Sequence, residues 1–241
     1  MNAGSFEELD RKRRAIRTLL APDDARDALA SYYALWHDPR RTQLTIHHDN
    51  EGGADGFVAV CQTGADLFRP LVTLRARDEA AIPEMLAAAL TAGRAYQVIA
   101  PVSLAPALEA QLDIRRAATH RLYQLNPLRF QRVINVLVQR TESPNGVPRF
   151  QIESQGQVVA LSGTNWRSPR FAEVFVYVHP EGRGRGWGRS VVSACTSYVL
   201  EERLRPLYLV DEENRASIHI AEAVGYTDSG HRLLIAEAQR K

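Results

Sequence analysis

The stretch most able to do chemistry is Val174-Phe175-Val176-Tyr177-Val178-His179-Pro180-Glu181-Gly182-Arg183-Gly184-Arg185-Gly186-Trp187-Gly188-Arg189-Ser190. A β-branched run enters a turn with glycine at 182, 184, 186 and 188, and the turn opens into an apolar helical run. Glycine tolerates positive φ and lets other atoms approach the backbone. The first amides of a helix lack partners and sit at the positive end of its dipole, so such a turn suits phosphate or pyrophosphate. Two common phosphate loops are excluded. A P-loop ends in Gly-Lys-Ser/Thr, whereas Gly188 is followed by Arg189-Ser190. A dinucleotide fingerprint needs a third glycine five residues after the first, and that place holds Trp187 counted from Gly182 and Arg189 counted from Gly184. On the glycines alone, a merely flexible turn stays open.

Such a turn has to be held by a strand before it and a helix after it. Phe171–Val178 reads as the strand, and Gly186 to about Leu204 as the helix. A strand at Leu207–Val210, a helix at Arg215–Val224 and a strand near Arg232–Ala236 follow. Upstream lie a short helix over Phe130–Arg140 and strands at Arg149–Glu153 and Val158–Trp166. The first half has the same order after two helices (residues 5–20, then to about Trp36). It continues with strands at Thr42–His48, Gly56–Cys61 and Phe68–Arg75, and a helix from about Glu79 to Ala92 capped by Asp78. A strand at Ala95–Ala100, a helix near Leu104–Leu112 and a strand near His120–Leu125 complete it. One order of elements in both halves predicts a duplicated unit, cut into domains 1–128 and 129–241.

Composition narrows the class. With 45% hydrophobic and 24% charged residues the chain is an ordinary globular sequence, not a disordered or fibrous one. No window approaches 18 apolar residues, which predicts no membrane span. The acidic start Met1-Asn2-Ala3-Gly4-Ser5-Phe6-Glu7-Glu8 lacks the apolar core of a signal peptide. Cys61 and Cys195 lie in different halves, so neither a disulfide framework nor a cysteine metal cluster is written here, and a reducing cytoplasm is the expected setting. Arginine outnumbers lysine 28 to 2 (Lys12 and Lys241 only), which a GC-rich genome accounts for. The run Arg11-Lys12-Arg13-Arg14 reads as a solvated helix face. With a net charge of +2, no nucleic-acid partner is expected.

The flanks of the turn sharpen the reading. Val178-x-Pro-x-x-Arg183-x-x-Gly186-x-Gly188 resembles the acyl-CoA-binding signature of the GNAT superfamily. Leu209-Val210-Asp211-Glu212-Glu213-Asn214-Arg215-Ala216-Ser217, leading to Gly225-Tyr226, resembles the superfamily's second signature. The resemblance covers roughly residues 130–236. Residues 5–128 share only the order of elements, and their counterpart of the CoA turn, Arg75-Ala76-Arg77-Asp78-Glu79, has no glycine. The resemblance thus implies a mixed α/β (α+β) fold of two GNAT-like repeats, each a mostly antiparallel mixed sheet flanked by helices, with a degenerate first copy.

It also implies a function: direct transfer of an acetyl or other acyl group from acetyl-CoA to a primary amine of a small molecule or peptide, without a metal. Tyr177 and Val178 would pair through their backbone with the pantetheine arm. The amides of Arg183, Gly184, Arg185, Gly186, Trp187, Gly188 and Arg189 would hold the pyrophosphate, and Asn214 and Ser217 would line the CoA side. Glu173 is the candidate base, because Phe171-Ala172-Glu173-Val174 resembles the strand that carries the catalytic glutamate in some members. Strand alternation puts Glu173, Phe175 and Tyr177 on one face. A carboxylate partly buried there would have a raised pKa, which suits a base. Asp211, Glu212 and His179 are lesser candidates near the same cleft. One position departs from the pattern: where many members carry a proton-donating tyrosine, seven residues after the asparagine, this chain has Ala221. Either Tyr198, Tyr208, Ser217 or water serves the departing thiolate, or no acid is needed, or catalysis is weak and the protein is a CoA-binding module with little or no turnover. Trp166 reads equally as a substrate-stacking or a packing residue, and Trp187 and Cys195 as packing residues. The chain is open to homodimer formation.

Overall fold

The structure is a computed structural model, and it describes residues 3–64 and 66–241; Met1, Asn2 and Ala65 lie outside the described residues. Two units divide the chain, Met1–Thr119 with Arg232–Lys241, and His120–His231. The first of these takes in the chain's last ten residues, so it is not a continuous segment ending at 128.

In the first unit, α1 (Ala3–Ala15) precedes α2 (Ala28–Ser31), which widens into a π-helical turn through Trp36. The basic run on α1 is not wholly a solvated face: Arg13 donates to the carbonyls of Ala34 (3.1 Å) and His37 (2.6 Å), closing that second helical stretch. Strands β1 (Thr42–His48), β2 (Ala54–Cys61) and β3 (Leu71–Ala76) pair antiparallel in succession. The third starts later than Phe68 because Asp66 accepts from the amides of Phe68 and Arg69, an Asx turn that competes with the ladder, and Pro70 cannot donate to it. After α3 (Ile82–Ala89), β4 (Ala95–Pro101) runs parallel to β3. Then come α4 (Ala105–Gln111) and the long β5 (Leu112–Leu125). The other neighbour of β4 is the end of the chain, Leu233–Gln239, paired antiparallel. Leu234, Ala236 and Ala238 from that segment are buried in one core with Leu74, Leu86 and Leu108.

The second unit begins in the middle of β5. It continues through β6 (Gln139–Glu142), β7 (Pro148–Ser154), β8 (Gln157–Arg167) and β9 (Phe171–Val178). Helix α5 (Trp187–Glu201), β10 (Arg205–Asp211), α6 (Arg215–Val224) and the first part of β11 (Tyr226–Arg240) complete it. The strand order is β5-β10-β9-β8-β7-β6, and only β9 with β10 is parallel. Valines of β9 and α5 (Val174, Val191, Val192) pack with Val210, Ala221 and Tyr226 into one core.

The helix expected at Phe130–Arg140 is absent. Residues 126–138 are irregular and β6 follows. Val133, Ile134, Val136 and Val138 are β-branched and poor helix formers. Asn126 and Asn135 turn their side chains back onto the amides of Leu128 and Leu137, and the amide of Val133 donates to Ser193 Oγ (2.9 Å) rather than along a helix. The two halves therefore share the order strand-strand-strand-helix-strand-helix-strand and differ in what precedes it. No helix among the described residues is long and apolar enough to cross a membrane.

Candidate active site

The glycines of the turn do two different jobs. Gly184 (φ +72°) and Gly186 (φ +74°) occupy the left-handed region, and a Cβ on either would meet nothing within 4 Å. Gly182 and Gly188 are there for closeness instead. A Cβ on Gly182 would lie 2.6 Å from the carbonyl oxygen of Val159, and one on Gly188 2.7 Å from Ile220 and 2.9 Å from Val178. The first pair bends the chain with an open side; the second seats the bend on β8 and lets α5 approach α6. Gly186 caps α5 with no side-chain hydrogen bond, so no capping side chain occupies the first amides of the helix. Arg185 lies over the Trp187 ring at 4.9 Å, and Trp187 packs on the core of the unit.

The two strands beside this turn part company. β9 and β10 pair only across Phe171↔Arg205, Ala172↔Pro206 and Glu173↔Leu207. Beyond Glu173, Val174–Val178 remain paired with β8 alone, which leaves the other edge of Tyr177 and Val178 without a strand partner from β10. Tyr177 is 53% exposed. An extended ligand with amide groups fits beside such an edge.

Glu173 sits at the last paired register, where the strands separate, and it is 7% exposed. Asn165 Nδ2 donates to its Oε1 at 2.7 Å, and the indole N–H of Trp166 donates to its Oε2. Burial pushes the carboxyl above its ordinary range, and the two donors pull it part of the way back. Val174, its neighbour, faces the α5 core, so Glu173 lies on the opposite face of the sheet. Trp166 is therefore neither a stacking platform nor mere packing; its polar edge is committed to Glu173.

On the α5 and α6 side, Tyr208 is the first residue of β10 past the point of separation. Its hydroxyl and Ser217 Oγ are 2.7 Å apart. Burial pushes the Tyr208 phenol up to about 12. Asn214 caps α6 by accepting from the Ser217 amide (3.1 Å), and Ala221 is fully buried one turn after Ser217. Tyr198 is elsewhere, with Arg167 donating to its hydroxyl (3.0 Å) and Arg140 over its ring. Asp211 accepts from the Glu213 amide, and Glu212 faces Arg121 at 3.8 Å. Both lie four or more residues along from Leu207, roughly 13 Å at strand rise. His179 follows β9 and precedes the short helical turn Pro180–Gly182. Cys195 is buried in the core of the unit, its thiol pushed up to about 12. Asn165 and Trp166 escaped the sequence reading as partners of Glu173, because alternation places consecutive residues on opposite faces.

Residues 113–226 match the model of the acetyltransferase (GNAT) family. A tandem GNAT protein from the clavulanic acid biosynthesis pathway is similar over 98% of this chain and 94% of its own, at 14% identity and a TM-score of 0.59. Residues 113–226 therefore carry a GNAT acetyltransferase domain, and the chain as a whole shares the fold of that tandem GNAT protein. A GCN5-related N-acetyltransferase from Kribbella flavida is similar over 87% of this chain and 95% of that one, at 16% identity and a TM-score of 0.62. A GNAT-family acetyltransferase from Colwellia psychrerythraea is similar over 98% and 97%, at 13% identity and 0.59. At such identities these structures share the fold. No curated protein matches the chain.

In the first unit the counterpart of the turn is closed. Asp78 accepts from the Ala80 amide at 2.9 Å, so a carboxylate caps the helical entry there. Arg75 is taken up by Asp27 at 2.9 Å.

Proposed function

We propose that the protein is an acyl-CoA-dependent N-acyltransferase that moves an acetyl group from acetyl-CoA directly to a primary amine, with the chemistry in the second unit. The observation that carries this reading is Glu173, a buried carboxylate at the point where β9 and β10 separate, beside an uncapped glycine entry to a helix. Acetyl-CoA is a substrate here, and the residues fit it. Gly184 and Gly186 present open backbone where a pyrophosphate would rest, with the amides of Arg183–Arg189 around it. The free edge of Tyr177 and Val178 suits the amides of pantetheine, with Asn214 and Ser217 on the α6 side.

An amine is mostly protonated near neutral pH and cannot attack a thioester in that form. Glu173 takes the proton; its two donors leave a lone pair on each oxygen for it. The amine nitrogen bonds the acyl carbon, a strand amide steadies the oxyanion, and the carbon–sulfur bond breaks. Glu173 and the Tyr208–Ser217 pair lie on opposite faces of the sheet, so the amine enters from one side and the sulfur leaves toward the other. Of the groups that could serve the thiolate, the hydrogen-bonded pair Tyr208 and Ser217 lies on the α6 side, whereas Tyr198 is committed to Arg167. The second reading, a CoA-binding module without turnover, is favoured by Ala221, which can donate no proton. Release of free thiol from acetyl-CoA that depends on an added primary amine separates the two: turnover supports the transferase, and binding without turnover supports the module.

A further inference from the structure

Strand β8 contains one residue too many for its partner. Thr164 pairs with Val174 and Trp166 with Glu173, so two steps on β8 answer one on β9, and Asn165 is the extra residue of a bulge. In a regular strand Asn165 and Trp166 would point to opposite faces. Here both reach the same carboxylate, one on each oxygen. Bulges re-aim side chains, and this one delivers two neutral donors to a single buried acid.

We propose that Asn165 and Trp166 are positioning residues for acyl transfer, brought together by the bulge to hold the Glu173 carboxylate in one orientation and favour its ionised form. The inference rests on the reading of Glu173 as the base. Burial alone favours the neutral acid, which could not take a proton from an amine. The donors oppose that effect, and neither titrates in the working range: an amide and an indole N–H stay donors at every pH of interest. Among the described residues no full charge does the same work. On β8, Arg167 turns to the Tyr198 hydroxyl and to Glu202 (both 3.0 Å), and on β10, Arg205 lies over the Phe171 ring at 4.6 Å. Leu207, paired with Glu173, is apolar, and the α5 residues in the core on the far face (Val191, Val192, Cys195) are uncharged. The causes acting on Glu173 are burial and these two hydrogen bonds.

The test uses the full-length chain with Trp166→Phe, which keeps an aromatic ring and removes the donor, and Asn165→Ala. The Glu173 carboxyl is titrated by infrared difference spectroscopy, with Glu173→Gln identifying its band. A hydrogen bond to a charged group is worth one to two decades, so each variant should move the midpoint upward by roughly one to two pH units. The acid limb of kcat should move with it, KM for acetyl-CoA staying close to wild type and the rate recovering at high pH. A midpoint unmoved or lowered, or a rate that falls by one factor at every pH, overturns the proposal. If Trp166→Phe fails to fold, Asn165→Ala carries the same test. Full activity in Glu173→Gln would instead remove the base assignment, and the titration would still decide whether the pair favours the ionised form.

Discussion

Replacing Gly186 by glutamate should weaken CoA binding by roughly a hundredfold and leave the protein folded. The residue sits at φ +74°, where a side chain costs about 1–2 kcal/mol. A Cβ there meets nothing within 4 Å, so no packing is lost. Against a typical stability of about 5–15 kcal/mol, that strain is survivable. Binding is different, because the new carboxylate projects from the uncapped entry to α5 where the pyrophosphate would rest. Two unit charges about 4 Å apart repel by about 4 kcal/mol at an effective dielectric constant of about 20. At about 1.4 kcal/mol per decade that is close to a thousandfold; a flexible side chain swinging into solvent reduces it to roughly a hundredfold. Gly186→Ala, which adds strain and a methyl but no charge, should lose much less. Calorimetric titration with CoA, alongside a thermal melt of each variant, measures both quantities. A folded Gly186→Glu protein with near-native CoA affinity would refute the placement of the site.

Three further outcomes follow from the same geometry. The whole chain should bind one CoA, because Asp78 already occupies the helical entry of the first unit while Gly186 leaves that of the second open; a calorimetric stoichiometry of two would contradict this. Gly182→Ala should destabilise the protein by about 1–3 kcal/mol, since its methyl would stand 2.6 Å from the backbone carbonyl of Val159, which cannot swing aside; an unchanged melting temperature counts against the packing role. A fragment 129–241 should be poorly soluble, because it lacks His120–Gln124, the strand paired with Leu207–Asp211, and the buried Tyr123; a stable, fully active fragment would show the second unit to be self-sufficient without them.

Much of this was legible in the residues. The bounds of β9 follow from its run of β-branched and aromatic residues, and those of α6 from Asn214 at its start and Gly225 at its end. Asp78 announces a cap by its type alone. Other features depend on partners distant in sequence. The segment 126–138 has enough apolar residues to suggest a helix, yet its amides go to Asx turns and to Ser193, sixty residues on. The two long strands β5 and β11 each serve both units, so a cut at 128 divides the chain where the pairing does not. The bulge at Asn165 is invisible to a period of two, since a bulge is a break in that period. It is the bulge that turns Trp166 from a packing or stacking residue into a partner of Glu173.

The most direct test of the account is the rate of N-acylation by Glu173→Gln at pH 7, measured as amine-dependent release of thiol from acetyl-CoA across a panel of primary amines. The wild-type protein should turn over at least one amine, and the variant should be slower by about 10²-fold or more with CoA affinity preserved, recovering part of the loss at high pH where free amine is abundant. Wild-type turnover that the substitution leaves unchanged, with chemistry rate-limiting, would contradict the account.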